Sequence, residues 1–408
     1  MERAVAELTQ SECERVGASF GTPAYVLFPQ AMRLAVEALL DGMPNTIPVS
    51  LAYPIKAMPV PTFLRQWRTF ARYVEASSAE ELEMALASGY PARRIIVNGP
   101  AKSDWLRNCV HRRLVVIFDS EREMMRLADR AIDLRWTAGM RFAPTMQRDP
   151  DNPRSVDQFG MPRSEFLRAA EAAERKRLTI SILHFHLGGW RGGTATRLSA
   201  LRQLAEAAGF AGISPGIVNL GGGFPQALAS RDARAAARRA GRAIGRLATR
   251  VRELFPAARE VVAECGRSIL GGAAILLLRV LDVKAKGASR FVICDGGRVN
   301  QALPSDWEKH RVDFLTRGAQ TQRKAATICG PTCMAWDWLW KVPVPADLAP
   351  NDLLIYEAAG AYHLPWESAF SHRRASIVLA RRTTSGTVSL RLIRPRQSLR
   401  AWSSSWGW

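Results

Sequence analysis

Lys56, in the segment Tyr53-Pro54-Ile55-Lys56-Ala57-Met58, is the first of a series of chemically capable side chains spread along most of the sequence. It is followed by His184-Phe185-His186-Leu187-Gly188-Gly189, Asn219-Leu220-Gly221-Gly222-Gly223-Phe224-Pro225, Glu264-Cys265-Gly266-Arg267 and Gly330-Pro331-Thr332-Cys333. A lysine condenses with an aldehyde only as the free amine, which needs desolvation or nearby positive charge. Three glycines after an apolar strand let the backbone approach an anion and aim N–H groups at it. Arg267 adds a charge-assisted, bidentate-capable contact to a phosphate. Glu264 is suited to keeping a ring nitrogen protonated, and the flat imidazole of His186 to lying against a planar group.

Each feature has an ordinary explanation taken singly. An isolated lysine snorkels, a glycine run is a flexible turn, Glu264 and Arg267 pair with each other or with solvent, and a strand-end histidine is a hydrogen-bonded core residue. Together and in this order they suggest a pyridoxal 5'-phosphate site. Metal binding is the weaker reading, because no carboxylate-rich or Cys-x-x-Cys cluster accompanies the two histidines. His184 is taken as the alternating residue, facing away from His186.

The elements that must hold these residues alternate in type. Pro48 to Tyr53, Tyr73 to Ala76, Ile95 to Val97, Val115 to Phe118, Trp136 to Phe142, Thr179 to Phe185, Gly216 to Leu220 and Glu260 to Ala263 read as strands, with amphipathic helices such as Val60 to Thr69, Ala79 to Ala87 and Glu121 to Ala131 between them. Repeated β-then-α units argue for a parallel sheet, and this many units suggests a closed (β/α)8 barrel, an α/β fold whose functional residues sit where strands give way to loops. Lys56, His186, Gly221 and Glu264 all fall at such places. After Gly271 the pattern turns β-like, at Ala274 to Leu281, Arg290 to Cys294, Leu353 to Glu357, Ala375 to Arg381 and Val388 to Ile393. The expected organisation is a barrel over 26–271, a C-terminal β-sandwich or barrel domain over 272–400 that residues 1–25 can join, and a flexible tail over 401–408.

Composition narrows the class. A chain of 408 residues with 47% hydrophobic and 23% charged residues predicts a soluble globular protein of two domains. Met1 to Glu7 shows no secretory pattern, the apolar stretch Ile269 to Val283 is too short to span a membrane, and six unpatterned cysteines read as reduced thiols, so a cytoplasmic location without membrane partners is expected. The net charge of +20 is carried by arginines dispersed through helical segments such as Arg231 to Arg252, without an aromatic ladder or a nucleic-acid motif. It is read as solvated helix faces, and no nucleic-acid partner is expected.

Taken together these motifs resemble the fold-type III pyridoxal phosphate decarboxylases, the family of ornithine, arginine and diaminopimelate decarboxylases. Lesser segments extend the likeness: Phe118-Asp119-Ser120-Glu121, Gln158-Phe159-Gly160-Met161, Asp295-Gly296-Gly297 and Gly360-Ala361-Tyr362. The resemblance implies an alanine racemase-like barrel with a β-domain, pyridoxal 5'-phosphate as cofactor, and a homodimer with shared active sites. It makes Lys56 the Schiff-base lysine, His186 the ring-stacking residue and Glu264 the partner of the pyridine nitrogen. It makes Gly222, Gly223, Gly266, Arg267 and Tyr362 phosphate contacts, with Glu75, Arg141 and Gly189 as further cofactor contacts. Cys333 becomes the proton donor reaching the site from the second subunit.

The departures from the family pattern concern substrate more than cofactor. Gly189 stands where the family usually has serine, and Cys265 replaces a proline. Met334 follows Cys333 where an acidic residue is usual, and Ala302-Leu303-Pro304-Ser305 lacks the arginine of diaminopimelate enzymes. Ordinary diaminopimelate or ornithine decarboxylation is therefore not expected. Met334 and Asp337 are candidate substrate contacts, and Trp336, Trp338 and Trp340 either line a pocket or pack one aromatic strand face. The reading is decarboxylation of an amino acid or amino-acid-derived conjugate in specialised metabolism, by way of a Lys56 aldimine and Cys333 protonation. A racemase or epimerase on the same fold is disfavoured by Glu264 and Cys333, and a non-catalytic cofactor-binding protein by the presence of the β-domain.

Overall fold

Helix Gln10–Phe20 opens with a capping box in which Thr9 and Glu12 satisfy each other's backbone amides, and it leads into strand β1 (Ala24–Leu27). The computed structural model describes residues 7–43, 47–70, 73–146, 157–188, 193–302, 304, 308–318 and 322–408. Two compact units are present. One comprises Leu40–Pro225 and Arg239–Gly266, the other Met1–Leu39, Gln226–Arg238 and Arg267–Trp408.

The first unit is a closed barrel of parallel strands β2 (Val49–Pro54), β3 (Tyr73–Ala76), β4 (Ile95–Val97), β5 (Val115–Phe118), β6 (Thr137–Arg141), β7 (Ile180–His184), β8 (Ile217–Asn219) and β9 (Glu260–Glu264). Closure comes from β9 pairing with β2, where Ala52 lies opposite Glu264. The barrel core includes Ala52, Tyr73, Ile96, Val115, Ile117, Ile182 and Val262, the branched and aromatic fillers that such an interior requires. Short polar caps set the helix starts: Ser78 accepts from the Glu81 amide and Ser120 from the Glu123 amide. In helix Ala233–Leu254, Ala236, Ala240, Ile244, Leu247 and Val251 are buried while Arg234, Arg238, Arg242 and Arg246 are exposed. Much of the positive charge is therefore the outer face of an amphipathic helix.

The second unit is built on a nine-stranded sheet. β1 sits at its centre, antiparallel to β10 (Ala274–Lys286) and parallel to β16 (Ser376–Arg382). Beyond β10 come β11 (Ser289–Cys294), β13 (Arg323–Cys329) and β14 (Trp338–Pro345), β17 (Val388–Arg394) closes the other edge, and β12 (Val312–Leu315) joins through β15 (Leu353–Tyr356).

β1 completes the sheet of the second unit, and the chain leaves the barrel unit at Gly266. The segment Gln226–Arg238 also belongs with the sheet. The tail expected to be flexible contains helix Leu399–Ser404, capped by Ser398, and Trp402 donates its indole N–H to the Ala369 carbonyl at 3.0 Å. Among the described residues, no helix is long and apolar enough to cross a membrane.

Candidate active site

The C-terminal ends of the barrel strands gather the polar side chains. Lys56 lies in a single 3-10 turn immediately after β2, and its Nζ donates to both oxygens of Glu75, the third residue of β3, at 2.7 and 2.6 Å. Glu75 is buried, while the Lys56 side chain is 42% exposed, so the amine is anchored from below yet open on one side. Burial pushes the Glu75 carboxyl up to about 7, opposed by the Lys56 charge and reinforced by Glu264.

Glu264 ends β9 and is also buried. Its Oε1 accepts from Asn219 Nδ2 at 2.9 Å, and His184 Nε2 and His186 Nδ1 lie 3.6 and 3.7 Å from its two oxygens. Burial alone would raise this carboxyl; the His186 contact and the histidine and Lys56 charges outweigh it and hold Glu264 below the usual range. Burial lowers both histidines, His184 strongly, while Glu264 pulls each of them back up. Two carboxylates in one barrel mouth are thus pushed in opposite directions.

Asn219 ties the glycine turn to this carboxylate, since its Oδ1 accepts from the Gly221 N–H at 2.9 Å while its Nδ2 serves Glu264. Gly222 donates its own N–H to His186 Nδ1 at 3.1 Å. That amide is committed within the site, so what Gly222 offers a ligand is close approach. A Cβ on Gly221 would meet the Phe185 carbonyl oxygen at 2.6 Å, on a backbone at φ +63°, and one on Gly222 would meet the Glu264 carbonyl oxygen at 2.8 Å. Arg197, 1% exposed, donates to the Leu187 and Gly223 carbonyls and braces the turn from behind. Arg141, at the end of β6, pairs with Asp119 at 3.2 Å and lies over the Phe159 ring.

The expectation for His184 was wrong. Its ring is fully buried beside Glu264, with centroid 6.4 Å from that of His186. Residues two apart on a strand share a face, so the spacing itself pointed this way. Asn98, whose amide lies 3.5 Å from Glu264 Oε1, and Asn219 were not singled out as site residues. A polar amide at a strand's end was the signal available for both.

Gly266 is buried at the end of the barrel unit, and Arg267 begins helix Arg267–Leu270 of the sheet unit. There its guanidinium lies 4.6 Å from the centroid of the Tyr362 ring. Tyr362 has φ +69°, a strained value for a residue with a side chain, in a loop laid against that helix by the Gly360 amide on the Gly271 carbonyl at 3.0 Å. Cys333 is exposed and Met334 half-buried, in the loop before β14. Gly189 and Leu303 lie outside the described residues.

Asp337, a candidate substrate contact, organises that loop. Buried, it accepts from the amides of Arg298 and Thr332 at 2.8 and 3.1 Å and from the Thr332 hydroxyl at 2.6 Å, which occupies both oxygens. Trp336 and Trp338 are 57% and 41% exposed, the Trp338 and Trp340 rings meet edge to face with centroids 6.4 Å apart, and Leu339 between those two reaches the core.

Residues 32–271 match the family described as pyridoxal-dependent decarboxylase, pyridoxal binding domain. The chain belongs to this family of pyridoxal 5'-phosphate-dependent amino-acid decarboxylases. It is 28% identical to the diaminopimelate decarboxylase of Actinosynnema pretiosum subsp. auranticum, over 85% of this chain and 81% of that one. It is also 28% identical to the L-glutamyl-[BtrI acyl-carrier protein] decarboxylase of Niallia circulans, over 74% of each. Among solved structures, diaminopimelate decarboxylase from Helicobacter pylori complexed with L-lysine shares the fold, with TM-score 0.79 and 21% identity over 97% of this chain and 100% of that one. The residues present fit the cofactor: an anchored amine, an ionised buried carboxylate, a half-buried imidazole and a glycine turn too tight for any Cβ.

Proposed function

We propose that this chain is a carboxy-lyase that removes carbon dioxide from an amino acid or an amino-acid-derived conjugate. The observation that carries the reading is Glu264, a buried carboxylate kept ionised at the barrel mouth by Asn219 and two histidines. An anionic partner keeps a ring nitrogen protonated, which suits decarboxylation better than racemisation. When bound, pyridoxal 5'-phosphate supplies an electron sink for the pair left on the substrate carbon.

The roles divide as follows. Lys56 holds the cofactor through its amine, and Glu75, raised to about 7, takes the proton that Nζ must lose. His186, held in place by the Gly222 amide, would stack on the cofactor ring. Gly222, Gly223 and Gly266 admit the phosphate, and Gly189 joins them on sequence grounds alone. Arg141, paired with Asp119, is a further cofactor contact, while Arg267 and Tyr362 are phosphate contacts by their place in the sequence pattern. Cys333 returns a proton to the substrate carbon, reaching the site of the second subunit in a homodimer.

The substrate we propose lacks a distal ammonium group. Met334 offers no charge to grip one, and relatives act on substrates as different as diaminopimelate and a carrier-bound glutamyl group. An acidic or carrier-linked conjugate of specialised metabolism also suits a chain of net charge +20. The test is a screen of purified holoenzyme for carbon dioxide release across L- and D-amino acids and carboxylated conjugates. Inversion of a substrate's chirality without carbon dioxide release would overturn the reading.

A further inference from the structure

We infer that Glu308 is a positioning residue that presets Arg267 for the cofactor's phosphate, with His310 as its support. The inference rests on the reading of Arg267 as a phosphate contact. Arg267 Nε forms an ion pair with Glu308 Oε1 at 2.5 Å, and the other side of the guanidinium lies over Tyr362. Glu308 is 3% exposed and fixed at several points. Its Oε2 meets His310 Nε2 at 2.9 Å, its carbonyl accepts from Trp340 Nε1 at 3.0 Å, and its amide donates to Pro304 at 2.8 Å. His310 Nδ1 lies 2.8 Å from the Glu357 carbonyl. Both of its nitrogens therefore face oxygens, which fixes the ring beside Glu308.

The surroundings fix the balance of charge. The second histidine, His363, has Nδ1 on the Ala361 carbonyl at 2.9 Å and its ring edge against His310, 4.9 Å between centroids. Burial pushes it down to about 3, so it stays neutral. Burial opposes ionisation of Glu308, but the His310 hydrogen bond and the Arg267 charge outweigh this and lower its carboxyl. One carboxylate thus stands between Arg267 and His310, and the long arginine side chain is held in one place before the ligand arrives. Fixing such a side chain within the fold removes an entropic cost from binding.

A divalent cation is the competing occupant, because a Glu308 carboxylate oxygen and one ring nitrogen each of His310 and His363 lie within 4.8 Å of one another. The positioning role is favoured because both carboxylate oxygens already have partners in Arg267 and His310, and the Arg267 charge would repel a cation.

The test uses full-length protein stripped of cofactor with hydroxylamine and titrated with pyridoxal 5'-phosphate or with pyridoxal, which lacks the phosphate. Glu308→Gln keeps the shape but not the charge. It is expected to raise Kd for pyridoxal 5'-phosphate about tenfold and leave that for pyridoxal unchanged. Arg267→Ala should weaken the phosphorylated ligand further, and the double variant should match Arg267→Ala alone. Independent, multiplying effects, equal weakening of both ligands, or unchanged or tighter binding in Glu308→Gln would overturn the inference. One bound divalent metal per chain that disappears in Glu308→Gln would do the same, in favour of the cation site. If Arg267→Ala leaves pyridoxal 5'-phosphate binding intact, the underlying reading of Arg267 has failed instead. His310→Gln, which retains a donor toward Glu308, is the second variant should Glu308→Gln not fold, with an expected loss of about threefold for pyridoxal 5'-phosphate alone.

Discussion

Replacing Glu75 by glutamine removes one carboxyl from the barrel mouth and has a pH signature whose sign is fixed by the structure. In the folded protein this group is pushed from 4.5 to about 7, first by burial and then by Glu264, against the pull of Lys56. Between these two values the folded chain holds a proton that the unfolded chain has already released. The associated stability is complete below about pH 4.5 and is lost as pH rises through about 7. The displacement corresponds to about 3 kcal/mol at roughly 1.4 kcal/mol for each tenfold change. Glu75→Gln has no proton to lose there. The cofactor-free variant should therefore gain on the wild type by about 3 kcal/mol as pH is raised from 5 to 8. Urea unfolding of both proteins at several pH values measures the difference. A gap that stays constant with pH, or closes as pH rises, would refute the argument that burial outweighs the Lys56 pair.

Asn219→Leu removes the donor that holds Glu264 and strands the Gly221 amide, so unfolding free energy should fall by roughly 2–4 kcal/mol in denaturant titrations. Gly221→Ala places a Cβ against the Phe185 carbonyl on a left-handed backbone and should cost about 1–3 kcal/mol, with weakened cofactor binding by absorbance titration. Mixing the inactive variants Lys56→Ala and Cys333→Ala should restore about a quarter of wild-type turnover if each site in a two-fold dimer takes Cys333 from the partner subunit. No recovery after subunit exchange would argue against a shared site. Trp67→Ala, at a fully buried position, should destabilise the protein by about 3–5 kcal/mol, read by thermal or urea unfolding.

The barrel was legible in the sequence because its strands and helices each carry a local signature. Every predicted strand from Pro48–Tyr53 to Glu260–Ala263 is present within a residue or two, and Lys56, His186, Gly221 and Glu264 fall at strand ends as expected. Cofactor chemistry was legible for a related reason: a lysine, a histidine and a glycine run in a fixed order name a class of ligand before any distance is known. Relations between residues remote in sequence were not legible. Nothing in the sequence joined Lys56 to Glu75, Asn219 to Glu264, or Arg267 to Glu308, because each pair meets only when strands or loops are brought together by the fold. Nor could sequence assign opposite tendencies to Glu75 and Glu264. Those follow from how many donors and charges surround each buried carboxylate, a quantity that local pattern does not contain. The placement of β1 in the sheet and the use of Asp337 inside its own loop were likewise settled by tertiary packing. The residue types and their order set the cofactor and the kind of chemistry; the folded arrangement decided which side chains hold the charges that tune it.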